Sequence, residues 1–285
     1  MQTLLLGTAQ WGMSYGVTNA AGRIPDLELA QVANLALSLG VNHLDTAPAY
    51  GDSESRIGNL DEHFQVQTKV SAGSLRSSEV IEFVESSIRD LRQDSLWGVL
   101  VHDWGLLTLS EREMALEALG EMRSAGRVER IGVSVYDESD LDDVMTSRVR
   151  IDVVQMPVNA IDQRLKDSTL IKSLRTQGVK VQARSIFLQG VLLDTSKSTA
   201  SSEHPDLLRL WNFMETQRVG PIEGCVGFIK SLSWVDEVVV GFATANQLNE
   251  FVEAWAAEIP DFDWSSVAST DLDLLDPRRW LGAAQ

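Results

Sequence analysis

The 285-residue chain reads as an α/β protein, a single TIM (β/α)8 barrel. Three observations predict this. Short apolar segments alternate with amphipathic helical ones, the pattern of a parallel sheet covered by helices. The alternation occurs eight times at about 36 residues a unit, room for a strand, two loops and a helix. No GxGxxG follows the first strand, which weighs against an open doubly wound sheet.

TLLLG at 3–7 is the first strand. IPDLELAQVANLALSLG at 24–40 has apolar residues at helical spacing, and Gly40 stops it. VNHLD at 41–45 is the second strand and FQVQTKV at 64–70 the third. SEVIEFVESSIRDLR at 78–92 is a helix with Ser78 as its expected cap, and SLWGVLVHD at 95–103 the fourth strand. The helix at 110–126 opens on a capping-box pattern, Ser110 and Glu113, and closes at Gly126. VERIGVSVY at 128–136 is the fifth strand, with helical sequence at 137–146. IDVVQMP at 151–157 is the sixth, bounded by Pro157, and a helix at 167–177 ends at Gly178. VKVQARS at 179–185 is the seventh strand, followed by a polar loop at 194–205 and helical material at about 206–231. VDEVVVGF at 235–242 is the eighth, and a helix at 246–257 completes the pattern. The expectation is one domain over 1–285, with 258–285 as a C-terminal extension covering a barrel face.

The composition narrows the function. Forty-one acidic against 24 basic residues give a net charge of -17, a surface that repels nucleic acid and anionic membranes. The single cysteine, Cys225, excludes an intramolecular disulfide framework and a cysteine-rich metal site. No apolar run is long enough to span a bilayer, and no secretory signal pattern opens the chain. A cytoplasmic protein acting on a small molecule is the expectation. No metal site is expected: His43 and Asp45 point alike on an ideal strand, but a packed histidine explains that pair.

Barrel chemistry gathers where the strands end. Asp45 ends the second strand, Tyr50 follows in its loop, Lys69 ends the third, and His102 the fourth. Barrel closure brings them together. A tyrosine can protonate a developing alkoxide, and a nearby ammonium favours the phenolate it leaves. The aspartate can hold the lysine, and the histidine can orient a carbonyl oxygen. None of these side chains carries hydride, so a cofactor must. Two other readings compete. One is a Schiff-base aldolase using Lys69, and the other a noncatalytic nicotinamide-binding regulatory protein.

LDTAPAYGDSE at 44–54, TK at 68–69 and VHDW at 101–104 resemble the aldo/keto reductase superfamily. IGVSVY at 131–136, VVQMPVN at 153–159 and VVVGFATANQL at 238–248 extend the resemblance. It implies an eight-stranded barrel and reversible reduction of an aldehyde or ketone without metal. It implies NADP(H) as the preferred cofactor, with NAD(H) as the less common alternative. By resemblance, Asp45, Tyr50, Lys69 and His102 form the catalytic tetrad. Ser134 and Gln155 match positions that bind the nicotinamide carboxamide. Val135 stands where relatives carry asparagine, and Asn159 is a candidate replacement. Arg184 occupies a position that is usually aromatic and stacks on nicotinamide. Its guanidinium can contact either cofactor or substrate. Ser185, Leu188 and Gly190 resemble the pyrophosphate loop, and Gly241, Thr244 and Gln247 the adenosine end. The usual basic side chain is absent at 243–244, where alanine and threonine stand. Trp11 and Trp104 are expected pocket walls. With Tyr15 and Arg184 they favour a sugar-derived or acidic carbonyl. Substrate identity and oligomeric state stay open.

Overall fold

The computed structural model describes residues 2–71, 73, 76–195 and 203–280. Eight parallel strands close into a barrel in sequence order. They are β1 Thr3–Gly7, β2 His43–Asp45, β3 Gln65–Val70, β4 Leu96–Val101, β5 Val128–Ser134, β6 Val153–Pro157, β7 Lys180–Arg184 and β8 Glu237–Gly241. The pairing of Gly7 with Asp45 on one side and Gly241 on the other closes the ring.

Helices wrap the sheet. The longer ones are α2 Asp26–Ser38, α4 Ser77–Asp90, α5 Leu109–Ser124, α7 Thr169–Thr176, α8 Pro205–Gln217, α9 Pro221–Ser231 and α10 Ala245–Ala256. Short α1 Ala9–Gly12, α3 Ser53–Gly58, α6 Asp142–Thr146 and α11 Leu272–Leu275 fill the loops. The expected stops at Gly40, Gly126 and Gly178 all sit at positive φ, which glycine reaches without Cβ strain. No helix among the described residues is long and apolar enough to cross a membrane.

Several boundaries differ from the sequence expectation. The cap of α4 is Arg76, with Ser78 inside the helix. The capping box of α5 is Thr108 with Glu111, two residues before the expected Ser110 and Glu113. Both registers fit the Ser/Thr-x-x-Glu pattern, and only the geometry chooses. Sequence 137–146 forms a 3-10 turn, Glu138–Leu141, followed by α6. The helical material expected at about 206–231 forms two helices. Arg218 turns left-handed, and Pro221 starts α9 because its ring fits the first helical position but not an interior one. The loop expected at 194–205 lies largely outside the described residues.

The outer faces of the strands carry Val66, Val99, Val133, Val154 and Val181, all buried under the helices. The barrel interior is unusually polar. Gln67 donates to Asp45 (2.7 Å) and to Gln182 (2.9 Å). Gln182 donates back to Gln67 (3.0 Å) and to Glu237 (2.6 Å), which Arg130 pairs at 3.1 Å. Barrel interiors are more often layered with branched apolar side chains. Here a hydrogen-bonded column runs from Arg130 to Asp45. Such a network rigidifies when its members are satisfied.

The segment from 258 packs on the loops after β6 and on α8. Ser269 N–H donates to Ile161 O (2.8 Å), Gln163 to Trp264 O (2.7 Å), and Arg209 to Ala268 O (2.9 Å). Trp264 stacks among Phe213, Phe228 and Phe262.

Candidate active site

Asp45, Tyr50 and Lys69 meet at the C-terminal end of the barrel. Lys69 is fully buried and pairs with Asp45 Oδ1. Its ammonium also donates to Thr46 O (3.1 Å) and to Tyr50 Oη (3.3 Å). An ammonium has three protons, and three acceptors use them. Burial works against the charge, yet Asp45 and Tyr50 hold the Lys69 pKa above its ordinary value. Asp45 Oδ2 accepts from Gln67 and Gln155, so the carboxylate is fixed at both oxygens.

Tyr50 rests on a backbone contact. A Cβ on Gly12 would lie 1.8 Å from Tyr50 O, and one on Gly51 2.4 Å from Gly12 O. Only glycines let α1 and the Tyr50 loop approach this closely. Ser53 adds bonds to Thr8 O (3.1 Å) and Thr8 Oγ1 (2.9 Å). Buried Glu54 accepts from Thr68 (2.5 Å). Burial raises its pKa, and the bonds from Thr68 and Ser87 oppose that rise.

His102 is half-buried just beyond β4. Its ring stands edge-on to Tyr50, with centroids 6.2 Å apart at 89°. Burial first, then the Lys69 and Arg184 cations, push its pKa down to about 3. The ring is therefore neutral near pH 7.

Ser134 and Gln155 lie side by side in the β5–β6 register. Gln155 donates to Asp45 (2.8 Å) and Gln182 (3.0 Å), which orients its amide. Its Oε1 is buried and accepts nothing, the one such side-chain oxygen among the described residues. An orphaned buried acceptor fits an incoming amide N–H. Asn159 is fully engaged instead. It donates to Ser185 O (3.2 Å) and accepts from Ile161 and Asp162 N–H, bracing its own loop.

Arg184 at the end of β7 is half-buried. It stacks on the Tyr136 ring at 4.2 Å, and Arg278 covers that ring from the C-terminal segment at 3.5 Å. In the following loop, Leu188 N–H donates to Ser185 O and Gly190 N–H to Phe187 O, both at 2.9 Å. Leu188 is buried as a side chain, and a Cβ at Gly190 would strike Thr18. These two positions shape the loop, and their N–H groups are engaged. The N–H groups of Ser185, Ile186 and Phe187 have no protein acceptor among the described residues.

The start of α10 is occupied by internal partners. Thr244 accepts from Gln247 N–H (3.2 Å), and Gln247 Oε1 accepts from Ala243 N–H (2.8 Å). The Glu28 carboxylate takes Ala245 N–H (2.8 Å). A Cβ at Gly241 would meet the Gln10 side-chain amide at 2.4 Å. The adenosine-end segment therefore carries the Glu28 carboxylate on a backbone N–H, with alanine and threonine at 243–244.

Trp11 and Trp104, the expected pocket walls, are 0% and 1% exposed and belong to the buried core. Trp104 donates to Asp140 O (2.9 Å) and stacks under Arg112, pinning the loop after β5. His43 packs on Trp97 at 4.3 Å. Among the described residues, no group of three or more His, Cys, Asp or Glu could hold a metal ion. Burial pushes the Cys225 thiol up to about 12, which makes it inert.

Gln67, Gln182, Gly12 and Tyr136 escaped the sequence reading. A signal for the glutamines existed. Gln65, Gln67 and Lys69 alternate with Val66, Thr68 and Val70, as Lys180, Gln182 and Arg184 alternate with Val181 and Ala183. A period of two marks one face of a strand.

A closed parallel barrel with an Asp–Lys–Tyr–His group at the strand ends defines a class of barrel proteins with a buried polar site. The family model described as "Aldo/keto reductase family" matches residues 3–271, and the chain belongs to that family. It is 28% identical over 179 residues to the uncharacterized oxidoreductase YtbE of Bacillus subtilis, covering 59% of this chain and 61% of that protein. It is 26% identical over 151 residues to the aldo-keto reductase YhdN of the same organism, covering 47% and 45%. The matches thus span less than two thirds of either relative's length. The holo form of the aldo-keto reductase AKR11C1 from Bacillus halodurans shares the fold, with a TM-score of 0.73, 20% identity, and 90% and 88% of the two chains covered.

Proposed function

We propose that this protein is a nicotinamide-dependent oxidoreductase that reversibly reduces an aldehyde or ketone to an alcohol. One observation carries the reading: the Lys69 ammonium bonds Asp45 and Tyr50 Oη at once. Because Tyr50 Oη accepts from Lys69, its own proton is directed elsewhere. That proton goes to the carbonyl oxygen, and the ammonium stabilises the phenolate left behind. Asp45 keeps the lysine charged and in place. Neutral His102 donates a ring N–H to the same oxygen and fixes its angle. In the oxidative direction the Tyr50 phenolate takes the alcohol proton. Nicotinamide, when bound, supplies the hydride. Ser134 and the orphaned Gln155 Oε1 would hold its carboxamide, and the N–H groups of Ser185, Ile186 and Phe187 its phosphates.

The family resemblance favours NADP(H). The Glu28 carboxylate and the missing cation at 243–244 weigh the other way, so we propose that NAD(H) serves at least as well. The Schiff-base reading needs a neutral amine with a free approach. A raised Lys69 pKa and three hydrogen bonds oppose both.

The test is Tyr50→Phe. Carbonyl reduction falls by roughly 100- to 10,000-fold, the range for losing a general acid. Cofactor binding, followed by quenching of tryptophan fluorescence, persists. Undiminished reduction by the variant would overturn the mechanism. Tight cofactor binding without turnover in the wild type would favour the noncatalytic reading.

A further inference from the structure

Seven arginines of the described residues are buried or half-buried: 56, 112, 123, 127, 130, 164 and 184. Six are paired. Arg56 meets Asp26, Arg112 Asp143, Arg123 Asp152, Arg127 Glu85, Arg130 Glu237, and Arg164 both Asp137 and Asp162. Arg184 alone has no carboxylate among the described residues. In a chain of charge -17, acids abound to neutralise it. A guanidinium withdrawn from water without a counter-ion is costly, so its solitude needs a reason.

Its placement supplies one. Arg184 ends β7, on the rim that carries the tetrad, and it lies close enough to His102 to affect its protonation. Tyr15, Tyr50 and Tyr136 are the only tyrosines in the chain, and all three gather around it or the tetrad. Stacking on Tyr136 fixes the guanidinium plane. Two of its five N–H donors have long contacts, to Val135 O (3.3 Å) and Ser185 Oγ (3.4 Å). The rest have no acceptor among the described residues. Arg278, which also covers the Tyr136 ring, is neutralised by Asp276 at 2.7 Å and braces the stack without competing for an anion.

We propose that Arg184 is the anion anchor of the substrate pocket, and that the substrate is a carbonyl compound carrying a carboxylate or a phosphate. This rests on the carbonyl-reductase reading above. The planar fork matches either oxyanion through paired hydrogen bonds. The anion supplies the counter-charge the fold omits and holds the carbonyl toward Tyr50.

Matched aldehydes test it: 4-carboxybenzaldehyde against benzaldehyde for the carboxylate, and glyceraldehyde 3-phosphate against glyceraldehyde for the phosphate. The wild type prefers at least one charged member by roughly 10-fold or more in kcat/KM, the scale of a charge-assisted pair. The preference lies in KM. In Arg184→Gln the charged-to-neutral ratio collapses to about one, and Arg184→Lys restores part of it, since it keeps the charge but loses the fork. The Kd values for NADH and NADPH stay unchanged in both variants. Calorimetry with benzoate and inorganic phosphate in the presence of NADH needs no turnover. There the wild type binds one of them and Arg184→Gln binds it about 10-fold more weakly. If turnover is absent for all four aldehydes yet this binding persists, the reductase reading fails and the anion site stands. Equal rates for charged and neutral partners would overturn the proposal. So would a cofactor Kd that shifts with Arg184 while the substrate ratio holds, or calorimetry that detects neither anion.

Discussion

At the Tyr50 corner, the phenol hydroxyl accepts from the Lys69 ammonium behind it, and its own proton has no acceptor among the described residues. At the start of α10, Thr244 Oγ1, Gln247 Oε1 and the Ala243, Ala245 and Gln247 N–H groups have internal partners, and the Ala245 N–H is held by the Glu28 carboxylate. Both regions carry the family's sequence pattern. The first retains the open valence that chemistry needs, and the second has closed it. Residue identity is thus a good guide where the side chain itself reacts. It is a poor one where the function belongs to backbone N–H groups that a distant residue can occupy.

The contrast can be broken hardest at Gly12. Gly12→Ala puts a Cβ into Tyr50 O and the Ser53 backbone. Overpacking costs roughly 2–3 kcal/mol of stability by thermal unfolding. Displacing Tyr50 by about 1 Å costs on the order of 100-fold in kcat. Wild-type kcat in a folded Gly12→Ala would show that the tight backbone contact does not position the phenol.

A smaller effect is expected at the other region. Glu28→Gln keeps an acceptor for Ala245 N–H and removes the charge. The affinity ratio of NADPH to NADH rises roughly 10-fold, as relief of like-charge repulsion at short range allows. An unchanged ratio would mean that the adenosine phosphate lies elsewhere.

The smallest effect is in pH. His102 titrates at about 3 instead of its ordinary 6.5. The kcat/KM profile therefore has no acid limb near 6.5, and a limb there that vanished in His102→Asn would contradict the neutral ring. The folded value lies below the unfolded one, so the unfolded chain takes up the proton first. The His102 contribution to stability is complete above pH 6.5 and declines as pH falls from there toward 3.

Much of this was legible in the sequence. All eight strands, and the placing of Asp45, Tyr50, Lys69 and His102 at or just past strand ends, follow from alternation and from polar residues at strand ends. What escaped has particular causes. Thr108 and Ser110 each begin a Ser/Thr-x-x-Glu pattern, so sequence leaves the α5 cap ambiguous. Glu28 reaches α10 across 217 residues, a contact that only barrel closure creates. Trp11 and Trp104 follow strands as pocket residues do, but large indoles also fill core gaps, and sequence position does not show that both are buried. The polar column behind Asp45 was written in the period-two rows of β3 and β7. Its meaning appears only when the two strands face each other across the barrel.

The central claim is that Tyr50 and Lys69 act as one proton-donating unit. A double-mutant cycle with Tyr50→Phe, Lys69→Met and the pair, measured as kcat/KM for one aldehyde, tests it most directly. Groups acting as a unit are grossly non-additive. The account predicts a double variant no slower than the worse single one. Losses that multiply across the cycle would show two independent residues and contradict it.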